Sequence, residues 1–340
     1  MQAIQLEAKG GPAVFVKDRP LPKLPKDCLL VKTVAVGLNP HELVDIYPPY
    51  TISSPGDLLG CDYSGIVLEV GSEVTRPFKK GDRVCGCTRP NPLQPDWGTF
   101  AEFIVVVGDV QLRIPEGMGF EDAASLGVTV LTSGAVLCDT LGLPMPTDCD
   151  VKRRQILVYG GSTSMGRMIL QSNFDIITTC SPNHFEMVKS LGADHVFDYN
   201  DPNAAAAIEA LTKGNLSLCV DCFSEESGYE FCSQVLSTGA TYVALRPMDS
   251  VRPDLDFKFC MGVMYFDAPF LLAGHTYEAP PGAFESAVKF AVVAEKLLAE
   301  DKIKPHPKDV RTKGLAGILD GIQELKEGKV RGVKLVYTLS

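Results

Sequence analysis

The stretch VYGGSTSMGR, Val158 to Arg167, decides the fold class of this 340-residue chain. An apolar, strand-like run ends there in two glycines, which are followed by three small hydroxyl residues, a methionine and a third glycine. A buried strand that ends in glycine and leads into a helix forms an anion site, because backbone N–H groups and the helix dipole face the turn. Gly160 and Gly161 allow a tight turn, and Gly166 allows the helix to pack closely on the sheet. The stretch predicts a dinucleotide-binding turn; the alternative is a plain strand–helix connection.

The chain that follows this turn repeats one pattern. From Ile156 onward, short apolar runs alternate with amphipathic helical segments. This alternation is typical of a parallel sheet covered by helices on both faces, so we predict a doubly wound, Rossmann-type α/β domain. The strands are expected at ILVY (156–159), IITT (176–179), HVFDY (195–199), LCVDC (218–222) and TYVAL (241–245).

The two ends of the chain differ from this middle part. The first 125 residues contain short Val/Ile runs broken by Gly, Pro and Asp, which predicts a barrel of strands and turns. After the proline-rich segment EAPPG, two helices are expected near 283–300 and 314–327, and a last strand in VKLVYTL.

Composition limits the classes of function. A net charge of -10 argues against general nucleic-acid binding, which needs a basic surface. We find no apolar run of about 18 residues and no secretory signal, so we expect no membrane span and a cytoplasmic location. The 11 cysteines are scattered, and Cys85 and Cys87 are separated by one residue. Buried thiols are therefore expected rather than disulfides or a zinc site.

The end of the second predicted strand bears on the choice of cofactor. NAD-binding proteins usually carry Asp or Glu there to hold the ribose 2′-hydroxyl. This chain has IITTCSPNH, without a carboxylate, and Ser181, Asn183 and His184 can donate hydrogen bonds to a 2′-phosphate. Tyr199, at the end of the third strand, can reach the same edge. The pattern favours NADPH, although Ser181 can also serve as a cap of the next helix.

Motifs along the whole chain resemble a known family. GLNP, GCDYSGIVLEVG, FKKGDRV and GTFAEF resemble the zinc-free, quinone-reductase-like branch of the medium-chain dehydrogenase/reductases. LGVTVLTSGAVL, VYGGSTSMG, TTCSPNHFEMVKSLGADHVFDY, KPHP and GVKLVY resemble the trans-acting enoyl reductases of fungal polyketide synthases. The resemblance implies a GroES-like β-barrel catalytic domain of residues 1–125 and 276–340, and a Rossmann NADP-binding domain of residues 126–275.

The resemblance also bears on metal binding. Zinc-dependent relatives build a catalytic tetrahedron from a Cys, a Gly-His-Glu segment and a further Cys or Asp. This chain has Asn39, without a cysteine nearby, and GCD at 60–62. We therefore expect no metal, and reduction of an activated C=C bond rather than oxidation of an alcohol.

The function that the resemblance implies is hydride transfer from NADPH to the β-carbon of an enoyl thioester, followed by protonation of the α-carbon. The substrate would be tethered to a carrier domain of a polyketide synthase, and a monomer is favoured over a homodimer. A free-standing quinone or enone reductase is the alternative. A non-catalytic nucleotide-binding partner is another, because Val44 stands where relatives commonly carry a proton-donating Lys or Tyr.

The resemblance assigns candidate site residues. Thr132 is a candidate catalytic hydroxyl, or else a helix Thr bonded to its own backbone. His41 is a candidate replacement for the donor absent at Val44, or else a surface or capping residue. The cofactor-binding candidates are Asn39, His41, Glu42, Val44, Ser162, Thr163, Ser164, Met165, Ser181, Asn183, His184, Tyr199, Leu245, Val333 and Lys334. The acyl-binding candidates are Ser133, Gly134, Ala135, Val136, Leu137, Cys138, Asp139, Thr140, Met264, Tyr265, Phe266, Asp267 and Ala268.

The first helix of the predicted Rossmann domain is short. Nine residues separate Gly166 from Ile176, where relatives usually have about four more, roughly one helical turn. Loss of a whole turn keeps the same face of the helix inward. We therefore expect the fold to survive, with the second strand drawn toward the turn.

Overall fold

The computed structural model describes residues 1–48, 52–91, 93–146, 153–248, 252–266, 268–272 and 275–339. The chain divides into two compact units. The first, called the barrel unit here, comprises Met1–Leu131 and Val263–Ser340, and the second, the nucleotide unit, comprises Thr132–Gly262. Within the described ranges, no helix combines the length and the apolar character needed to cross a membrane.

The strands and helices are numbered along the chain. The strands are β1 Ala3–Leu6, β2 Ala13–Val16, β3 Cys28–Leu38, β4 Asp62–Val70, β5 Arg83–Cys87, β6 Phe103–Val107, β7 Leu112–Arg113, β8 Gln155–Tyr159, β9 Asp175–Thr179, β10 His195–Phe197, β11 Leu218–Asp221, β12 Thr241–Ala244, β13 Asp256–Phe259, β14 Phe270–Leu272, β15 His275–Tyr277, β16 Lys308–Arg311 and β17 Lys334–Thr338. The α-helices are α1 His41–Ile46, α2 Phe120–Ala123, α3 Gly127–Gly134, α4 Ser164–Leu170, α5 Phe185–Ser190, α6 Ala204–Thr212, α7 Glu226–Val235, α8 Ala283–Ala299 and α9 Ile318–Lys326.

The barrel unit is organised by its longest strand, β3. This strand is rich in Val and Leu, and most of its residues are buried, as expected for a strand with neighbours on both edges. It pairs antiparallel with β4 on one edge and with β6 and β17 on the other. Strands β16, β17, β3, β4, β5 and β7 follow one another in one sheet. The final strand of the chain therefore lies beside β3, in the same sheet as the N-terminal strands.

Helix α8 is held within the barrel unit by a partly buried cluster of ion pairs. Glu295 accepts hydrogen bonds from Arg76 Nη2 at 2.6 Å and from Arg113 Nη1 at 2.9 Å. Both guanidinium groups also lie over the ring of Phe78, at 5.0 and 4.5 Å from its centroid. Glu295 thus pairs with both arginines, and Arg113 Nε also lies 3.6 Å from Asp82 Oδ2; these contacts fix the helix beside β7.

The nucleotide unit contains a parallel sheet of six strands in the order β10-β9-β8-β11-β12-β13. This third-second-first-fourth-fifth-sixth order is that of the Rossmann fold. The predicted doubly wound sheet is confirmed, and β13 extends it beyond the five strands expected. Ile156, Leu157 and Val158 are all fully buried, as required of a strand covered on both faces.

The short first helix of this sheet is α4, with seven residues. It is followed directly by β9, which pairs with β8 in parallel register from Gln155–Asp175 to Tyr159–Thr179. The first two strands of the sheet therefore pair over five residues even though the connection between them is short.

The nucleotide unit also contains a buried hydrogen-bond centre at Asp221. Its carboxylate accepts hydrogen bonds from the Tyr242 hydroxyl at 2.6 Å and from the backbone N–H groups of Phe223 and Ser224 at 2.8 and 2.9 Å. Burial raises the pKa of Asp221, and these donors oppose the rise. The contact fixes the turn after β11 to strand β12.

We expect Tyr242→Phe to lower the free energy of unfolding by about 1–3 kcal/mol, because it removes a donor from a buried carboxylate. Denaturant unfolding measures the loss, and hydrogen exchange in β11 and β12 locates it. Tyr199→Phe, the same change on an exposed ring, should cost less than about 0.5 kcal/mol. Equal stability of the Tyr242 variant and the wild type would contradict this role of Asp221.

Candidate active site

The turn after β8 depends on its glycines. Gly160 has a φ of +86°, in the left-handed region that favours glycine. A Cβ on Gly161 would lie 2.2 Å from Thr178 Oγ1, and one on Gly166 would lie 2.3 Å from the Gly160 carbonyl oxygen. The close approach of α4 to the turn therefore requires glycine at these positions.

Thr163 fixes this turn to helix α4. Its Oγ1 accepts a hydrogen bond from the Gly166 N–H at 3.0 Å and donates one to the Gly160 carbonyl at 2.8 Å. Ser162, Thr163 and Ser164 are half-buried, so this part of the turn remains accessible. Met165 is buried, with its sulfur 4.0 Å from Ser133 Oγ.

The carboxyl ends of β9 and β10 bring together two predicted cofactor residues. Ser181 Oγ and the Tyr199 hydroxyl are 3.1 Å apart. Asn183 and His184 lie beside Ser181 in the 3₁₀ turn Pro182–His184, with Asn183 exposed and His184 half-buried. The edge thus presents hydroxyl, amide and imidazole groups, the donors that a phosphate monoester needs.

Two exposed aromatic rings flank Tyr159, the last residue of β8. The Tyr159 ring lies 6.5 Å from that of Tyr199 and 6.3 Å from that of Phe223. Tyr199 is 41% exposed and Phe223 46% exposed. Phe223 was not among the residues predicted from the sequence; its position directly after the fourth predicted strand is the signal that could have found it.

The barrel unit contains a buried polar network at the ends of β3 and β4. Lys334 Nζ donates to Asn39 Oδ1 at 2.7 Å and to the Asp62 carboxylate. Asn39 Nδ2 donates to Asp62 Oδ2 at 3.1 Å, and Val128 N–H donates to Asp62 Oδ1 at 2.6 Å. The side chains of Lys334 and Asp62 are 2% and 0% exposed, so this ion pair is shielded from solvent. The network brings together residues from three distant parts of the chain.

Glu42, on α1, extends the network. Its carboxylate accepts hydrogen bonds from the backbone N–H of Asn39 at 2.6 Å and from that of Cys61 at 3.2 Å. Burial is the main cause that raises the pKa of Glu42, to about 8, and repulsion by Asp45 adds to it, whereas Lys334 opposes the rise. The group therefore changes its charge near neutral pH.

A second ion pair involves Asp45, which is also on α1. Asp45 Oδ1 accepts a hydrogen bond from Arg89 Nη2 at 3.0 Å, and both side chains are buried. His41 Nε2 lies 3.6 Å from the same Asp45 oxygen, one helical turn away. Asp45 and Arg89 were not predicted from the sequence. The spacing of four residues between His41 and Asp45 was a signal for Asp45, but no sequence pattern indicated Arg89.

Asn39 and Asp62 lie in the segments where zinc-dependent relatives carry metal ligands. In this chain both contact the ammonium group of Lys334. Lys334 provides the positive charge beside Asn39 and Asp62. Among the residues described, no group of three or more His, Cys, Asp or Glu side chains is placed to hold a metal ion.

Comparison with known proteins places the chain. Residues 25–116 match the family described as the alcohol dehydrogenase GroES-like domain. The chain is 38% identical over 344 residues to trans-enoyl reductase ACTTS2 of Alternaria alternata, covering 99% of this chain and 98% of the relative. It is 42% identical over 286 residues to trans-enoyl reductase TOXD of Cochliobolus carbonum, covering 82% of this chain and 95% of the relative.

The chain belongs to the trans-enoyl reductase family. The resemblance seen in its sequence motifs is thereby confirmed, as is the combination of a GroES-like barrel with a Rossmann sheet. A solved mycobacterial protein complexed with NADPH shares this fold, with a TM-score of 0.76 at 21% identity over 99% of this chain and 100% of that one.

The other candidate residues of this trans-enoyl reductase family member lie as follows. Val44 is half-buried on α1, Leu245 is half-buried just after β12, and Val333 is exposed beside buried Lys334. Thr132 is buried on α3, with its Oγ1 2.5 Å from the point where a Cβ on Gly262 would lie. Gly262 therefore allows the chain to pass close to this hydroxyl.

The acyl-binding candidates fall into two segments. Ser133 and Gly134 end α3, and Ala135–Thr140 continue it as a π-helix, a form often found at functional sites. Residues 133–137 are buried, whereas Cys138 and Thr140 are half-buried and Asp139 is exposed. In the barrel unit Tyr265 and Phe266 are buried, Met264 and Ala268 are half-buried, and Asp267 lies outside the described residues.

We expect Glu42→Gln to reduce the pH dependence of stability. The folded pKa of Glu42 lies above its value of 4.5 in an unfolded chain, so the proton stabilises the folded state. This contribution is complete below about pH 4.5 and is lost as pH rises through about 8, with a slope of at most about 1.4 kcal/mol per pH unit. Urea unfolding across this range, for wild type and variant, measures the difference.

Glu116→Gln, at an exposed position of the same unit, is the matched control and should leave the pH profile unchanged. A constant difference in stability between the wild type and the Glu42 variant throughout the range would contradict the titration of Glu42.

Proposed function

We propose that the protein is an NADPH-dependent, trans-acting enoyl reductase that reduces the α,β-double bond of acyl chains tethered to the carrier domain of a polyketide synthase. The observation that carries the proposal is the 38% identity to a trans-enoyl reductase along 99% of the chain. That alignment spans both the glycine turn of the nucleotide unit and the buried network of the barrel unit.

The turn after β8 would hold the pyrophosphate of NADPH. Its three required glycines leave the backbone open to a phosphate; Ser162 and Ser164 are half-buried beside it, and Thr163 fixes the turn through its own hydroxyl. When bound, the nucleotide supplies a hydride, and the protein supplies binding, orientation and electrostatics.

The residues at the carboxyl ends of β9 and β10 would select NADPH over NADH. Ser181, hydrogen-bonded to Tyr199, and the neighbouring Asn183 and His184 offer donors to a 2′-phosphate. The exposed faces of Tyr199 and Phe223 offer apolar surface to the adenine ring beside it.

The remaining assignments concern the substrate. We assign the Thr132 hydroxyl to the thioester carbonyl, where it would stabilise the oxyanion that forms as the double bond is reduced. The mainly apolar segments 133–140 and 264–268 would contact the acyl chain. The synthase is the proposed partner because a trans-acting reductase has to receive its substrate from another protein.

The test is oxidation of NADPH, followed at 340 nm, with three substrates: a crotonyl group on an acyl-carrier domain, crotonyl pantetheine and a simple quinone. The proposal expects turnover with both thioesters, more efficiently with the carrier-bound one, and formation of a butyryl product. Turnover with the quinone alone would assign a free-standing quinone reductase. Binding of NADPH without turnover of any substrate would assign a non-catalytic partner.

We expect Ser181→Asp to reverse the preference for the cofactor. A carboxylate at this edge repels a 2′-phosphate and accepts a hydrogen bond from a ribose 2′-hydroxyl. Calorimetric titration should show the Kd for NADPH raised by a factor of about 10–100, equivalent to about 1.4–2.8 kcal/mol, and the Kd for NADH lowered. Ser190→Asp, which adds the same charge at an exposed position at the end of α5, is the control. Equal losses of NADPH affinity in the two variants would contradict the assignment.

A further inference from the structure

The turn that follows β11, residues 222–224, lies beside the glycine turn that follows β8. The Cys222 N–H donates a hydrogen bond to the Tyr159 carbonyl at 3.0 Å. A Cβ on Gly160 would lie 2.8 Å from Cδ2 of the Phe223 ring. Strands β8 and β11 are neighbours at the point where the strand order of the sheet reverses, and dinucleotides bind outside the carboxyl ends of the strands at such a point. The turn after β11 therefore borders the proposed dinucleotide site.

The ring of Phe223 is exposed at this border. Its exposed fraction of 46% is the highest of any large apolar side chain in the described part of the nucleotide unit. A ring that packs on one side only has few buried contacts to hold it, and such groups are mobile unless their backbone is fixed. The position of Phe223 therefore depends on the turn that carries it.

Ser224 fixes this turn to two strands. Its N–H donates to Asp221 Oδ1 at 2.9 Å, and its hydroxyl donates to the Asp221 carbonyl at 2.9 Å. The same hydroxyl oxygen accepts a hydrogen bond from the Leu245 N–H at 2.7 Å. Because Asp221 ends β11 and Leu245 directly follows β12, one buried hydroxyl joins the carboxyl ends of both strands.

The backbone of the turn does not by itself require serine. Ser224 has a φ of +54°, in the left-handed region that is unfavourable for a residue with a Cβ. Glycine would adopt this conformation without strain, but it has no hydroxyl to give Leu245 an acceptor. Strain of this kind is found mainly at functional sites, where the surrounding structure maintains it. The feature that serine adds is the connection to β12.

We propose that Ser224 is a positioning residue of the dinucleotide site: its hydroxyl fixes the turn after β11 to β12 and so holds the Phe223 ring against the adenosine half of NADPH. The inference rests on the proposed NADPH-dependent function and names the residue that fixes one side of the adenosine site.

The main test is calorimetric titration with two ligands, NADPH and adenosine 2′,5′-bisphosphate, which lacks the nicotinamide. For Ser224→Ala we expect the Kd of NADPH to rise about 3–10-fold, the effect of one lost hydrogen-bonded connection. The Kd of the bisphosphate should rise by the same factor. With crotonyl pantetheine as substrate, the KM for NADPH should rise to match, whereas kcat should stay within about twofold of wild type.

A double-mutant cycle tests whether Ser224 acts through Phe223. Phe223→Ala alone should raise the Kd of NADPH about 3–10-fold, because it removes the aromatic surface. In that background, Ser224→Ala should change the Kd by less than about twofold, because the side chain that it positions is gone. Two effects on the Kd that simply multiply would overturn the inference.

Ser237 provides a matched control on the same two strands. Its Oγ donates to the Leu216 carbonyl at 3.0 Å, which joins the segments that precede β12 and β11 at the opposite edge of the sheet. Ser237→Ala should leave both Kd values within about twofold of wild type. Ser224→Gly, which relieves the backbone strain but also lacks the hydroxyl, should raise both Kd values and repeats the test if the alanine variant is unstable.

The outcomes separate the inference from the proposed function. Wild-type Kd values for both ligands in the Ser224 variants would overturn the inference, as would weaker binding of NADPH alone, which would assign the effect to the nicotinamide half. If the wild type itself does not bind NADPH, the proposed function fails. If it binds NADPH and the Ser224 variants match it, only the positioning role fails.

Discussion

The buried contact of Lys334 with Asp62 and Asn39 is the interaction on which the barrel unit's polar centre depends. It joins the first residue of β17 to the first residue of β4 and to the residue directly after β3. A lone charge in a protein interior is very costly, so each partner requires the other. Gly37 contributes to this arrangement, because a Cβ there would lie 2.7 Å from Lys334 Cε. The last strand of the chain thereby fixes a site built mainly by residues 39–62.

This centre determines how α1 is held and what its side chains can do. Asn39 connects the lysine to Glu42, and Glu42 in turn receives the backbone N–H of Cys61. Helix α1 therefore begins from a fixed point, although it has only six residues and no side-chain cap of its own. On the same helix, Asp45 is fixed by Arg89, and His41 lies above it. Two separate ion pairs, Lys334–Asp62 and Arg89–Asp45, thus involve α1 or the residues that precede it.

Local patterns in the sequence were sufficient to predict the fold of the nucleotide unit. The run from Val158 to Arg167 predicted the turn, and the rhythm of apolar runs predicted five of the six strands of its sheet. Both signals are short-range. A strand buried on two faces is a run of adjacent apolar residues, and close packing of a helix on a turn requires glycine within a few residues of that strand. Phe223 was not predicted because its position directly after a strand does not by itself show that its ring is exposed.

The polar site of the barrel unit could not be predicted in this way. Lys334 is 272 residues from Asp62 along the chain, and Arg89 is 44 residues from Asp45. Such pairs form only when the fold brings distant segments together, so no periodic pattern in the sequence predicts them. The resemblance to relatives supplied Asn39, Glu42, His41 and Lys334 as candidates, but it supplied neither their partners nor the burial that shifts the pKa of Glu42.

A double-mutant cycle between Lys334 and Asp62, measured by denaturant unfolding, tests the account most directly. If the buried ion pair organises the barrel unit, Lys334→Met alone should cost about 3–5 kcal/mol, because it leaves the Asp62 carboxylate buried and uncompensated. Adding Asp62→Asn to that variant should then recover at least about 1 kcal/mol, as expected for residues in direct contact. A stable single variant, or two substitutions whose effects simply add, would contradict the account.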